Sequence, residues 1–292
     1  MTTDGASIEG NDWSIRVPAS SANLGPGFDV LGMALTLHAE IGCGDAPEGA
    51  HVADEHHPAT VAFRRAGGTG PVWVMSPIPM GRGLGFSGAM RVGGAAAASV
   101  QVEGCAALDD LEVRRRILQI SAELEHHADN AAASLHGGVV AVADDTVTQV
   151  PLAFDPAVVV WIPEATTSTD RSRTNLADTV NRADAVFNIS RVAMFVAACA
   201  SGDASALRRA TEDRLHQTER LAAVPSSAAA LDAGLAAGAW AAWLSGSGPT
   251  VAMLCEPSRA DELAAALPRS GQTKVLRIDH AGATVTATSA PG

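Results

Sequence analysis

Pro79-Met80-Gly81-Arg82-Gly83-Leu84-Gly85-Phe86-Ser87-Gly88 places four glycines in ten residues directly ahead of an Ala/Val-rich run, Ala89 to Val102, that reads as a buried helix. Such glycines let backbone N–H groups approach an anion closely, and the helix that follows turns its positive end toward phosphate. Gly83-x-Gly85-x-x-Gly88 also satisfies, letter for letter, the fingerprint of a dinucleotide-binding loop. That loop would follow its strand directly and would sit in paired parallel βαβ units. Here Pro77 and Pro79 separate the strand Val72 to Met75 from the glycines, and no second parallel unit is evident. The dinucleotide reading is therefore disfavoured, and a purely structural helix start is the bland alternative.

Composition narrows the chemistry around this loop. The chain has 292 residues, 47% of them hydrophobic, and a net charge of -12, which suits an acidic, core-forming protein of two domains. Of 20 basic residues every one but Lys274 is an arginine. A P-loop, which needs Gly-Lys-Ser/Thr at the phosphates, is excluded, and Schiff-base chemistry has Lys274 alone to use. The acidic balance argues against a nucleic-acid partner. Cys43, Cys105, Cys199 and Cys255 are widely spaced, as reduced thiols of a cytoplasmic protein would be. Met1 to Trp13 lacks the basic start and apolar run of a signal peptide, and the most apolar stretch, Ala228 to Leu244, is broken by Asp232 and glycines. No membrane association is expected.

The pattern predicts strands at Trp13 to Val17 and Val72 to Met75, a turn at Asn23 to Phe28, a helix over Val113 to His127, and paired strands at Gly137 to Val142 and Val147 to Val150. A second half follows with a strand at Ala157 to Ile162 and helices over Thr179 to Ala200, Ala204 to Arg220 and Ser226 to Ala237. Strands at Ala239 to Leu244 and Thr250 to Leu254, a helix at Arg259 to Leu267, and strands near Val275 to Ile278 and Thr284 to Thr288 close it. This βα alternation gives an α+β protein of two domains, 1–152 and 153–292.

Two further loops share the character of the first: Pro18-Ala19-Ser20-Ser21-Ala22-Asn23-Leu24-Gly25-Pro26-Gly27-Phe28-Asp29 and Leu244-Ser245-Gly246-Ser247-Gly248-Pro249-Thr250. Taken together, the three resemble the motifs of the GHMP kinases, and the Ser-Ser-Ala-Asn-Leu-Gly-Pro-Gly-Phe-Asp run resembles the opening motif of the homoserine kinase branch. Glu125-His126-His127-Ala128-Asp129-Asn130 with Gly137-Gly138 is similar to that branch, as are Ser168-Thr169 with Arg173, Asp184 to Arg191, and Asp213-Arg214-Leu215-His216-Gln217 with Arg220. The likeness spans about residues 14 to 255, with the motifs in order.

The resemblance implies the two-domain GHMP kinase fold, an N-terminal ribosomal-protein-S5-like domain joined to a C-terminal ferredoxin-like α/β sandwich. It implies ATP and Mg²⁺ as cofactors, an amino-acid substrate, and phosphorylation of the homoserine hydroxyl on the way to threonine. Pro79, Gly81, Arg82, Gly83, Leu84, Gly85, Phe86, Ser87 and Gly88 would hold the nucleotide, and Ser87 and Glu125 the metal. Asn23, Asp129, Asn130 and Arg173 match catalytic positions. Asn23, Asp29, His127, Asp129, Arg173, Arg220, Gly246 and Gly248 match the substrate site. A homodimer is the family's common assembly. His216 reads as structural, and Arg114-Arg115-Arg116 as an exposed helix face.

Phe86 replaces a small hydroxyl of the family pattern, the segment that holds the adenine is short and reads His56-His57-Pro58-Ala59, and Thr218-Glu219 replaces Pro-Tyr ahead of Arg220. Two alternatives stay open for these reasons: a GHMP kinase for another alcohol (threonine, shikimate, pantoate or a mevalonate-like compound), and a homologue that binds ligand without turnover.

Overall fold

The computed structural model describes residues 13–164, 176–177 and 179–287. In chain order the first half runs β1 (Trp13–Ala22), β2 (Leu31–Cys43), β3 (His51–Val52), α1 (Pro58–Arg65), β4 (Val72–Met75), α2 (Phe86–Glu103), α3 (Leu111–Glu125), α4 (Asp129–His136), β5 (Val139–Ala143) and β6 (Thr146–Gln149). The second runs β7 (Ala157–Pro163), α5 (Arg182–Ser201), α6 (Ala204–Ala210), α7 (Gln217–Ala223), α8 (Pro225–Ala236), β8 (Ala241–Leu244), β9 (Val251–Cys255), α9 (Ala260–Ala266), β10 (Gly271–Arg277) and β11 (Thr284–Ala287).

Two sheets organise these elements, and the pairings in both are antiparallel. The first is seven-stranded, in the order β11-β1-β2-β4-β3, with β5 also on β2 and β6 on β5. The second is four-stranded, in the order β10-β7-β9-β8. The predicted βα alternation is thus a chain order and not a parallel sheet. The final strand, β11, returns to pair with β1, Trp13 opposite Ala287. A single boundary at 152/153 does not separate the two sheets, because residues 284–287 belong to the first.

The long strand β2 was not expected from the pattern; it is the hub of the first sheet, pairing β1 along one edge and β4 and β5 along the other. Pro18, which cannot donate to a ladder, sits where the β1/β2 register shifts between Pro18 and Ala19. The Ala-rich α2 lies against α1 and the first sheet, and its small residues permit close contact: a Cβ on Gly93 would meet Ile41 Cδ1 at 2.4 Å, and one on Gly94 would meet the Ala59 carbonyl at 2.1 Å.

The helix predicted over Ala204 to Arg220 is broken. Helix α6 stops at Ala210, and Asp213 accepts hydrogen bonds from the backbone N–H groups of Leu215, His216 and Gln217 at the start of α7. Among the described residues α5 alone has the length and composition to cross a membrane; Asn188, Phe195, Ala198 and Cys199 form its buried side.

Candidate active site

Three turns meet, joined by hydrogen bonds between their residues. Asn23 and Asp29 take left-handed backbone angles, φ 69° and 58°, which Asn and Asp tolerate better than most side chains. Asn23 Oδ1 accepts the Asp29 N–H at 3.0 Å, and Asn23 Nδ2 donates to the Gly246 carbonyl at 2.9 Å, so one side chain both shapes the first turn and ties it to the third.

Hydroxyl groups bind the glycine-rich loop to the same junction. Trp243 Nε1 donates to Ser21 Oγ at 3.0 Å, the Ser21 and Ser245 hydroxyls share a hydrogen bond of 2.7 Å, and Ser245 Oγ donates to the Gly83 carbonyl at 2.6 Å. Gly83 and Gly85 have φ of 75° and 67°. Side chains there would collide at once: a Cβ on Gly83 would lie 2.3 Å from the Ser245 carbonyl oxygen, and one on Gly85 2.0 Å from Ser20 Oγ. Gly85 starts α2 with no side-chain cap, so the first-turn amides lack intrahelical partners and form a positive end beside the cleft.

The cleft has a volume of about 270 Å³. Its lining brings together fourteen of the expected residues: Asn23, Asp29, Gly81, Gly83, Gly85, Phe86, Ser87, Gly88, Glu125, His127, Asp129, Asn130, Arg220 and Gly246. Pro79, Arg82, Leu84 and Gly248 lie off the lining. The Leu84 side chain is fully buried in the core, the Arg82 guanidinium donates to the Pro163 carbonyl, and Gly248 supports Gly83 from behind. Arg173, with Ser168 and Thr169, lies outside the described residues. Ala22, Pro58, Met80 and Ser247 line the cleft without having been expected to.

Both signs of charge line the cleft. Ser87 Oγ donates to Glu125 Oε1 at 2.5 Å, a hydroxyl and carboxylate pair of hard oxygens. At the start of α4, Asp129 is buried, and its Oδ1 accepts from the Asn130 N–H at 2.7 Å and from His127 Nδ1 at 2.6 Å. One ligand atom each from Asp29, His127 and Asp129 falls within 4.8 Å of the others.

Opposite in sign is Arg220, only 7% exposed. Its Nη1 lies 3.2 Å from the Gly246 carbonyl and 3.1 Å from His216 Nδ1, and its guanidinium carbon is 5.4 Å from the Phe28 ring centre. His216 Nε2 is 2.8 Å from the Gly25 carbonyl, which can only accept. The proton therefore sits on Nε2, and Nδ1 is the acceptor for Arg220. Burial holds the His216 pKa below its ordinary value, in keeping with that neutral form. Burial pushes the Asp213 pKa up, yet hydrogen bonds from the Asn188 amide and the His216 and Gln217 backbone N–H groups hold it below the ordinary value.

The departures in sequence have definite places. Phe86 leans edge-on against the His57 ring, with centres 5.9 Å apart, and His57 accepts the Ala59 N–H at the start of α1. Thr218 and Glu219 are exposed and off the cleft lining, since the turn of α7 that buries Arg220 carries them outward.

Family models agree with this architecture in both halves. The GHMP kinases N terminal domain matches residues 52–138, and the model described as GHMP kinases C terminal matches 195–273. The homoserine kinase of Thermus thermophilus is 36% identical over 284 residues, covering 90% of this chain and 95% of that enzyme. That of Moorella thermoacetica is 39% identical over 284 residues, covering 88% and 93%. The crystal structure of homoserine kinase from Cytophaga hutchinsonii superposes with a TM-score of 0.82 at 23% identity, over 98% of this chain and 100% of that one. Mevalonate kinase of Methanococcus jannaschii shares the fold at a TM-score of 0.66 and 15% identity, over 94% of this chain and 99% of that one. Relatives this similar, over nearly the whole of both chains, make the protein a member of the GHMP kinases, within their homoserine kinase branch.

Proposed function

We propose that this cleft transfers the γ-phosphoryl group of ATP to the side-chain hydroxyl of L-homoserine, giving O-phospho-L-homoserine and ADP. The observation that carries the reading is that both signs of charge line one cleft: buried Arg220, the carboxylates of Asp29 and Asp129, and the uncapped start of α2. An amino acid presents a carboxylate and an ammonium group, and a planar guanidinium suits the first while carboxylates suit the second. Arg220 would hold the substrate carboxylate and Asp29 its ammonium group. Asp129, fixed by His127 and the Asn130 amide, would accept the hydrogen bond of the attacking hydroxyl.

Gly81 to Gly88 would cradle the triphosphate with backbone amides, since no side chain fits at Gly83 or Gly85. Ser87 and Glu125 supply the hard oxygen donors that suit Mg²⁺. Bound there, Mg²⁺ would neutralise phosphate charge and orient the leaving group. The protein's remaining contribution is position: the hydroxyl oxygen forms its bond to phosphorus in line as the bond to the ADP oxygen breaks.

ADP formation measured with Mg²⁺-ATP against homoserine, threonine, serine, shikimate, pantoate and mevalonate tests the reading. Homoserine is expected to lead shikimate, pantoate and mevalonate in kcat/KM by about two orders of magnitude or more, because a pocket built for two charges rejects compounds lacking either, and to lead serine and threonine because their hydroxyl stands one carbon nearer the charged groups. A different leading acceptor would overturn the substrate assignment, and no turnover in folded protein would favour a binding homologue. Glu125→Ala is expected to abolish turnover while keeping the fold, and retained activity would refute the placement of the metal.

A further inference from the structure

Glu125, placed above as the metal carboxylate, already has a cationic neighbour. Arg91 lies on α2, one helical turn beyond Ser87, and its Nε is 3.0 Å from Glu125 Oε1, the same oxygen that accepts the Ser87 hydroxyl at 2.5 Å. The pair is largely shielded, with side-chain exposures of 20% for Arg91 and 11% for Glu125. The approach is an ion pair and not a hydrogen bond, because it lies off the N–H direction; Arg91 Nε and Nη1 are buried and make no hydrogen bond. His127 Nε2 is 3.8 Å from the other carboxylate oxygen, Glu125 Oε2. Arg91 is not part of the cleft lining, whereas Ser87 and Glu125 are. The guanidinium therefore backs the carboxylate from the side away from the cleft.

Two physical consequences follow. Coulomb interaction falls only as the inverse of distance and is weakly screened where water is scarce, so a dication brought to Glu125 meets the combined field of carboxylate and guanidinium, close to zero net charge. A guanidinium held by charge and not by directional hydrogen bonds also has no geometric lock on the carboxylate, so another charge can tip the balance. A nucleotide triphosphate at the start of α2 brings that charge.

We propose that Arg91 makes divalent-cation binding at Glu125 conditional on the nucleotide: its counter-charge keeps the metal out of the nucleotide-free cleft, and the anionic phosphates restore the attraction. The inference rests on the assignment of Ser87 and Glu125 to the metal. Arg91 is here a positioning residue acting through Glu125, and it touches neither the acceptor nor the reacting atoms.

Mn²⁺ binding followed by electron paramagnetic resonance, with and without ADP, tests it apart from activity. Nucleotide-free wild-type protein is expected to bind Mn²⁺ weakly, and Arg91→Met at least tenfold more tightly, with Arg91→Lys restoring the weak binding and ADP narrowing the difference between Arg91→Met and wild type. Thermal melts of each variant establish that it is folded. Equal nucleotide-free Mn²⁺ affinity in wild type and Arg91→Met would overturn the inference, provided Glu125→Gln still weakens Mn²⁺-ADP binding. Unchanged Mn²⁺-ADP binding in Glu125→Gln would instead refute the metal assignment, and the role of Arg91 with it. A gain in Arg91→Met that persists in Arg91→Met/Glu125→Gln would also overturn the inference, since the new site would not be Glu125.

Discussion

Arg220 concentrates several demands on one side chain. It is buried, shares contacts with the Gly246 carbonyl and His216, and faces the Phe28 ring. Met in its place would keep much of the volume and lose the charge, so Arg220→Met is expected to raise the KM for homoserine by roughly 10- to 100-fold, the value of one or two hydrogen bonds to a charged group. Steady-state kinetics with each substrate varied in turn check this, and the KM for ATP should stay near wild type. Asn23, Asp29, Glu125, Asp129 and Arg220 were named from the sequence because they sit in short motifs whose spacing is local, and all five line one cleft. Arg91 was not, because a lone arginine in an Ala/Val-rich helix shows nothing of a carboxylate 34 positions away. The serine hydroxyls of residues 21 and 245 were equally silent, since their hydrogen bond joins segments 224 residues apart. Arg82 and Leu84 show the limit within a motif: a loop has two sides, and sequence does not tell which one a side chain takes.

At the scale of the element, the start of α2 is fixed by backbone crowding as well as by helix chemistry. Gly83→Ala puts a methyl group 2.3 Å from the Ser245 carbonyl oxygen at a φ that disfavours a side chain. The expected cost is about 1–3 kcal/mol in stability, read from chemical denaturation, with weakened ATP binding as the loop shifts off the third turn. Helices α2, α3 and α8 were foreseen within a few residues, α3 from its apolar spacing and α2 and α8 from their Ala-rich runs. Strand β2 was not: Leu31 to Cys43 carries Leu, Met, Ala and Glu, all good helix formers, and pairing along both edges overrides that preference. The break between α6 and α7 was hidden for a related reason. Asp213 gives no sign in sequence of ending a helix until its carboxylate is seen collecting three backbone N–H groups and the Asn188 amide.

For the whole molecule, histidines that are buried or half-buried set the acid limit of stability. His57, His136 and His216 all have pKa values below the ordinary 6.5, with burial the leading cause in each. An unfolded chain takes up these protons near pH 6.5 while the native protein does not, so between the two values the unfolded state binds more protons and stability rises with pH. Asp213 and Asp279, held below the ordinary 3.8 despite burial, contribute stability above that pH and lose it as pH falls further. Unfolding free energy is expected to be level between about pH 7.5 and 8, to decline from about pH 6.5 downward, and to decline again at alkaline pH, where burial keeps the Cys43, Cys199 and Cys255 thiols protonated after the unfolded chain has lost those protons. The acid-side decline should be shallower in His216→Gln, whose amide can still donate to Gly25 and accept from Arg220; urea denaturation at a series of pH values gives both results. The two-domain α+β plan was readable from the order of predicted strands and helices, but the return of residues 284–287 to the first sheet was not, since Thr284 to Ala287 is only a short alternating strand in sequence. That return also sets a schedule on the ribosome. At roughly 5–20 residues per second, β1 emerges tens of seconds before β11 is made, and for that interval its outer edge is an unpaired template for a stray strand of another nascent chain.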